Sequence, residues 1–288
     1  MKKLKMWLGG ILTVLLLAGS FLVPIEAAAA EGMVRNPGVV SLAEGKKYTN
    51  LDATGDGRAD SLLWETRREE GLFSSGRKTL EISINGRRAF RLKDPYYEGD
   101  ATYRYEVKLC TLDRNNVLFF IRTISETEHY NFCRLFQYKN GKLKMVLDLK
   151  KIYKNIFHYR ECIDVSSAGN GRIRFRWYGQ VGVTGALNWN VTFVDSGGTL
   201  KRQGRTCPVL SKDRNKTWTA SRSFRAYETA RLSTTVFQVK PGDKVKVTSV
   251  YNDAKRLYIR IINQKGQAGW VPCPNDSSPY FRESIYVG

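Results

Sequence analysis

Alternation with a period of two runs through most of the chain. Leu80, Ile82 and Ile84 alternate with Glu81 and Ser83, and Leu257, Ile259 and Ile261 alternate with Tyr258 and Arg260. Successive side chains of a strand point to opposite faces, so this pattern predicts half-buried strands. Strands are predicted at Thr79–Ile84, Tyr103–Leu109, Val117–Thr123, Phe132–Tyr138, Lys142–Leu147, Arg172–Trp177 and Trp189–Val194, all rich in β-branched and aromatic residues. Turn signals separate them, among them Asn85-Gly86, Asn140-Gly141 and Gly197-Gly198. The one helical candidate is short, Leu149 to Phe157.

The pattern repeats. Gly55-Asp56-Gly57 leads into Ser61–Trp64, Leu112–Asn116 leads into Val117–Phe120, and Gly169-Asn170-Gly171 leads into Ile173, Phe175 and Trp177. Gly57 and Gly171 are 114 residues apart with Asn115 near the midpoint, a period of about 57. Each unit closes on one of the three hairpin signals. The expectation is an all-β fold, with a β-propeller-like or stacked-sheet repeat domain of about three degenerate units over residues 31–210. Polar residues from Ser211 to Ser223 read as a linker, and a compact β segment follows over 224–288.

The N-terminus has a different character. Lys2, Lys3 and Lys5 precede an apolar stretch from Met6 to Val23, and Pro24, Glu26 and Ala27 to Ala30 follow. That order is the positive region, apolar region and small-residue cleavage site of a secretory signal peptide, expected over residues 1–30. No integral membrane segment is expected after cleavage. The charge then takes on a meaning. Lys and Arg number 47 against 27 Asp and Glu, a net +20 that is spread along the whole chain. In an exported protein this points away from nucleic acid and towards cell-wall peptidoglycan, an anionic wall polymer or an acidic glycan. Export also permits oxidation of the five cysteines, and Cys207 and Cys273 flank the C-terminal segment as a candidate staple. A monomer is expected.

Asp52, Thr54, Asp56 and Asp60 place oxygen-bearing side chains at positions 1, 3, 5 and 9 of a loop, with Gly57 at position 6. Calcium takes six to eight oxygens, and a tight loop supplies them at alternate residues, with the Arg58 carbonyl at position 7. Position 12 is Leu63 rather than Glu, and a strand follows rather than a helix, so the helix-flanked calcium loop is excluded. The combination resembles the calcium loops of FG-GAP/VCBS-type repeats, which lead into a strand of a propeller blade. The resemblance implies Ca2+ held by Asp52, Thr54, Asp56, Arg58 and Asp60. The other two units lack this donor set.

In the C-terminal segment, Phe224–Tyr227 and Val236–Val239 are followed by Lys240-Pro241-Gly242-Asp243-Lys244-Val245-Lys246-Val247, then by Leu257–Ile261, and finally by Gly269-Trp270-Val271. This order resembles a bacterial SH3 (SH3b-like) domain, which implies a small barrel and a wall-associated role. The binding candidates are Tyr227, Tyr258 and Trp270, whose flat rings bury apolar area at low entropic cost, with Arg260 to meet a carboxylate.

Catalysis finds little support. No GxSxG, HExxH or CxxC pattern is present, and the two histidines, His129 and His158, stand in Tyr-rich strand-like settings. No catalytic residue is assigned. The expectation is a secreted, non-catalytic binding protein. The alternatives are a wall-targeted hydrolase with an unrecognised active site and an inert scaffold.

Overall fold

The computed structural model describes residues 34, 36, 38–68, 78–93, 102–125, 132–153, 162–252, 256–274 and 279–284. The predicted signal peptide and both histidines lie outside the described residues. The fold is all-β, with 64% of the described residues in strands and 4% in helix.

A short strand β1 (Val39–Leu42) precedes three successive four-stranded antiparallel meanders. The first comprises β2 (Tyr48–Leu51), β3 (Asp60–Arg68), β4 (Lys78–Ile84) and β5 (Arg87–Leu92). The second comprises β6 (Thr102–Asp113), β7 (Asn116–Ser125), β8 (Cys133–Lys139) and β9 (Lys142–Asp148), with β1 added along β6. The third comprises β10 (Cys162–Gly169), β11 (Arg172–Val181), β12 (Gly185–Asp195) and β13 (Leu200–Arg202). The helical candidate opens as a 3-10 turn, Leu149–Tyr153, and the rest of it, 154–157, lies outside the described residues.

The repeat found in the sequence corresponds to these meanders. Residues 52–59, 114–115 and 170–171 join the first strand to the second in each unit, and the three hairpin signals join the third to the fourth. Asn85 and Gly86 both have positive φ (51° and 74°), as do Asn140 and Gly141 (53° and 79°). That is the mirror-image turn whose twist matches two-residue hairpins. In a meander these two connections fall at the same end. Bonds between units hold the ends together: Gly171 N–H donates to the Leu112 carbonyl at 2.9 Å, and Asn116 Nδ2 donates to Asp195 Oδ2 at 2.8 Å.

The sheets pack face to face. Val117, Phe119 and Ile121 of β7 join a core with Leu62, Trp64, Leu80 and Ile82 of the first sheet. Leu118 and Phe120 face the other way, into a core with Ile173, Phe175 and Trp177 of the third. Burial on both sides explains why Val117–Ile121 is an unbroken apolar run, whereas β4 and β11 alternate. Between the second and third sheets, Arg122 is buried; its Nη1 donates to the Ile163 carbonyl at 2.6 Å, and its guanidinium pairs with Glu106. Lys108 reaches Asp164 across the same boundary.

The fourth sheet holds β14 (Thr206–Pro208), β15 (Trp218–Thr219), β16 (Phe224–Tyr227), β17 (Thr235–Val239), β18 (Lys244–Asn252), β19 (Leu257–Asn263) and β20 (Ala268–Cys273). Its order is β14-β18-β19-β20-β16-β17, with β15 also on β18 and a one-turn helix α1 (Ser211–Arg214) after β14. No closed barrel forms among the described residues. The stretch 211–223, expected as a linker, is structured and packed. Asp213 Oδ2 accepts from Asn188 N at 2.7 Å and from Asn188 Nδ2 at 2.8 Å, Trp218 is buried against β18, and Ala220 bridges to Phe281. One apolar cluster runs from Phe175 and Trp189 into Val245, Ile259 and Val271, so the expected boundary at residue 210 crosses a continuous core.

The expected Cys207–Cys273 staple does not form. Both are buried free thiols. Cys207 lies on β14 and Cys273 on β20, with β18 and β19 between them. Three interstrand steps of about 4.8 Å exceed the 4.4–6.8 Å Cα separation that a disulfide spans.

Candidate binding face

The acidic loop is organised around two buried carboxylates. Asp52 and Asp60 are 2% and 4% exposed. Asp52 Oδ1 accepts from Gly55 N–H at 2.6 Å, and Oδ2 accepts from Gly57 N–H at 2.8 Å. Asp60 Oδ2 accepts from Ala53 N–H at 2.8 Å and Thr54 N–H at 2.9 Å, and Oδ1 accepts from Asn85 Nδ2 at 2.6 Å. Asn36 closes the start of the loop, accepting from Asp52 N–H at 2.9 Å and donating to the Asp52 carbonyl at 2.5 Å. Gly55 is demanded twice: its φ is +83°, and a Cβ would stand 3.0 Å from the Asn115 carbonyl oxygen of the second unit.

This is a poor cradle for a cation as it stands. Asp56 is exposed and, among the described residues, accepts only from Arg58 N–H, at 2.9 Å, and the Thr54 hydroxyl donates to Asp52 at 3.4 Å. Among the described residues no three His, Cys, Asp or Glu side chains gather around one point. The cavity of about 260 Å³ beside Asp52 is also lined by Arg114, itself a cation. The sequence places the five expected ligands in one loop; the fold turns the two buried carboxylates towards amide donors.

The residues expected to bind do share a surface. On β19, Leu257, Ile259 and Ile261 are buried in the core while Tyr258, Arg260 and Ile262 lie on the opposite face of the sheet. Trp270 of β20 lies directly opposite Arg260, and Tyr227 of β16 directly opposite Trp270. Directly paired residues lie on the same side of a sheet, so Tyr227, Tyr258, Arg260 and Trp270 form one outer face. Trp270 is half-buried and outside the apolar core, and Arg260 is exposed.

A fifth member, Tyr251, is not read from the sequence. It pairs with Tyr258, and its ring centroid lies 5.8 Å from those of both Tyr258 and Trp270, at interplanar angles of 57° and 67°. Tyr258 is 3% exposed and forms the floor of this group. Further along the same face, Lys246 pairs with Ile262. There a groove of about 540 Å³ is lined by Lys244, Lys246, Ile262, Asn263 and Thr217. Tyr258, Arg260 and Ile262 lie in one row, so the groove and the aromatic group are the two ends of a strip roughly 14 Å long.

What the strip offers is flat rings at one end, a guanidinium in the middle and ammonium groups at the other. Comparison with protein-family models, with curated proteins and with solved structures gives no match.

Proposed function

We propose that this is an exported, non-catalytic protein that binds a cell-wall or extracellular glycan or peptide bearing acidic groups, through the outer face of the fourth sheet. The observation that carries the reading is the contact of Tyr251 with Tyr258 and Trp270 on a face that also carries Tyr227 and Arg260 and runs on to the Lys244–Lys246 groove. Aromatic faces supply apolar contact to sugar or peptide, and the cations meet its carboxylates. Export rests on the pattern of residues 1–30, and the SH3-like and propeller-like resemblances are consistent with wall association. Among the described residues no helix is long and apolar enough to cross a membrane.

A calcium ion at the acidic loop is a separate proposal. It requires Asp56 to turn inward beside Asp52 and Asp60, and its test is a thermal melt in calcium against one in chelator. The binding proposal is tested by retention on purified peptidoglycan at low and high salt, comparing the unaltered chain with Trp270→Ala. Retention that falls with salt and with the substitution supports it; retention indifferent to Trp270 overturns it. A cleared zone in zymograms would favour the hydrolase instead.

A further inference from the structure

The third sheet buries one face and leaves the other in solvent. On β11, Ile173, Phe175 and Trp177 are buried, while Arg172, Arg174 and Arg176 point the opposite way and are exposed. Alternate residues of a strand stand about 6.7 Å apart on one face, so the three guanidinium groups form a straight, evenly spaced row. None of the three takes part in an ion pair among the described residues. Lys201 lies across Val194 from Arg172 and adds a cation at one end. The carboxylate opposite Arg176, Asp164, is already engaged by Lys108 of the second sheet at 2.5 Å. Thr192, Asn190 and Ser167 flank the row, small polar side chains that leave it open from the side.

We propose that this face binds a linear polyol-phosphate polymer, with successive arginines taking successive phosphodiesters. The planar guanidinium fork matches phosphate oxygens in a way that a point charge does not. An even row of like charges without counter-charges selects a ligand whose own charges are evenly spaced. Single-stranded nucleic acid carries phosphodiesters too, but its binding proteins rely on an aromatic ring for successive bases. On this face the one ring in line with the row is Tyr178, at its end. The site is on a different sheet from the aromatic strip and stands whether or not that strip binds a glycan.

The test uses the whole exported chain and polyglycerol phosphate as the probe, with affinity measured across a range of salt. The triple variant Arg172→Gln, Arg174→Gln, Arg176→Gln is compared with Lys139→Gln, Lys142→Gln, Lys144→Gln, which removes the same charge from exposed positions on the β8–β9 hairpin. Each phosphate contact contributes close to one unit to the slope of log K against log salt, so the arginine variant should flatten that slope by about 2 to 3. The lysine variant should stay near the unaltered chain. Equal losses in both variants would reduce the effect to overall charge and overturn the proposal. So would an unchanged slope in the arginine variant, or single-stranded DNA bound as tightly through the same three arginines. Unchanged melts for both variants exclude misfolding as the cause.

Discussion

Replacing Asp60 by alanine should be among the most damaging single changes in the first sheet, despite the residue's position in a loop-to-strand turn. Its carboxylate receives Ala53 N–H, Thr54 N–H and the Asn85 amide, and Ala53 is fully buried. A buried donor left without a partner costs about 1–3 kcal/mol, and bonds to a charged acceptor lie at the upper end. Thr54 is only half-buried and can recover a bond from water. The Ala53 N–H and the Asn85 link therefore dominate, and the expected loss is roughly 3–4 kcal/mol. For a chain of this size that corresponds to a fall in Tm of roughly 10 °C. Calorimetry on Asp60→Ala and Asp56→Ala decides the point, because Asp56 is exposed and holds only Arg58 N–H. In chelator, Asp56→Ala should cost less than about 1 kcal/mol. Equal losses for the two variants would refute the idea that amide donors hold the loop. Calcium adds a second arm: a bound ion at about 100 times its Kd stabilises by roughly 3 kcal/mol. That gain would vanish in Asp56→Ala if the ion uses all three aspartates.

Trp270→Ala and Tyr251→Ala should each weaken ligand retention about 30-fold if the strip binds, as central aromatic contacts do, with little change in Tm because both side chains lie outside the core; retention assays with melts check this. Cys110 and Cys273 are buried and their thiols pushed upward by that burial, Cys110 to about 12, so at neutral pH neither should react with a thiol reagent until the chain unfolds. Their reaction rate should follow denaturant unfolding, and prompt labelling of Cys110 or Cys273 in the native protein, located by peptide mapping, would contradict the burial. At Glu283, burial pushes the carboxyl upward, but the bonds from Thr219 and the nearby Lys216 outweigh it and hold it below the usual carboxylate range. A lowered folded pKa gives stability that is present above the unfolded value and lost as pH falls through the folded one. Acid should therefore release the Phe281–Glu283 segment from Trp218, whose ring packs at 5.6 Å from Phe281, and tryptophan fluorescence should report it before global unfolding.

Much of this architecture is legible because each unit carries its own local signals. Alternation at Leu80–Ile84 and Arg172–Trp177 identifies strands with one solvent face, and the positive-φ hairpins Asn85-Gly86 and Asn140-Gly141 fix where they reverse. The segment at 211–223 shows where composition misleads. Its polar residues suggest a linker, but the Asp213 carboxylate is satisfied by both nitrogens of one residue, Asn188 of the preceding sheet. Trp218 then brings β15 down onto β18. A single buried acid and a single indole reverse what the average polarity implies, because packing depends on where specific partners lie. The acidic loop shows a related limit of spacing. Spacing shows which side chains stand in one loop, not whether their oxygens face one another or face the loop's amides.

The aromatic strip is half visible in the sequence for a reason that can be located in one residue. In β18, Val245 and Val247 are buried and Lys244 and Lys246 are exposed, so simple alternation carried onward would put Tyr251 inside. A bulge between Val247 and Ser249 breaks the register against β19. After it Val250 and Asn252 are the buried positions, and Tyr251 emerges beside Tyr258 and Trp270. One extra residue in a strand reverses every side chain beyond it. The same irregularity lets a single strand present lysines to the groove at one end and an aromatic ring to the cluster at the other, with buried valines beneath both. Without the bulge, Tyr251 would take the core side in place of Val250, and the aromatic cluster would lose the ring that contacts both of the others. The strip is therefore a product of the register, and the residue types alone understate it.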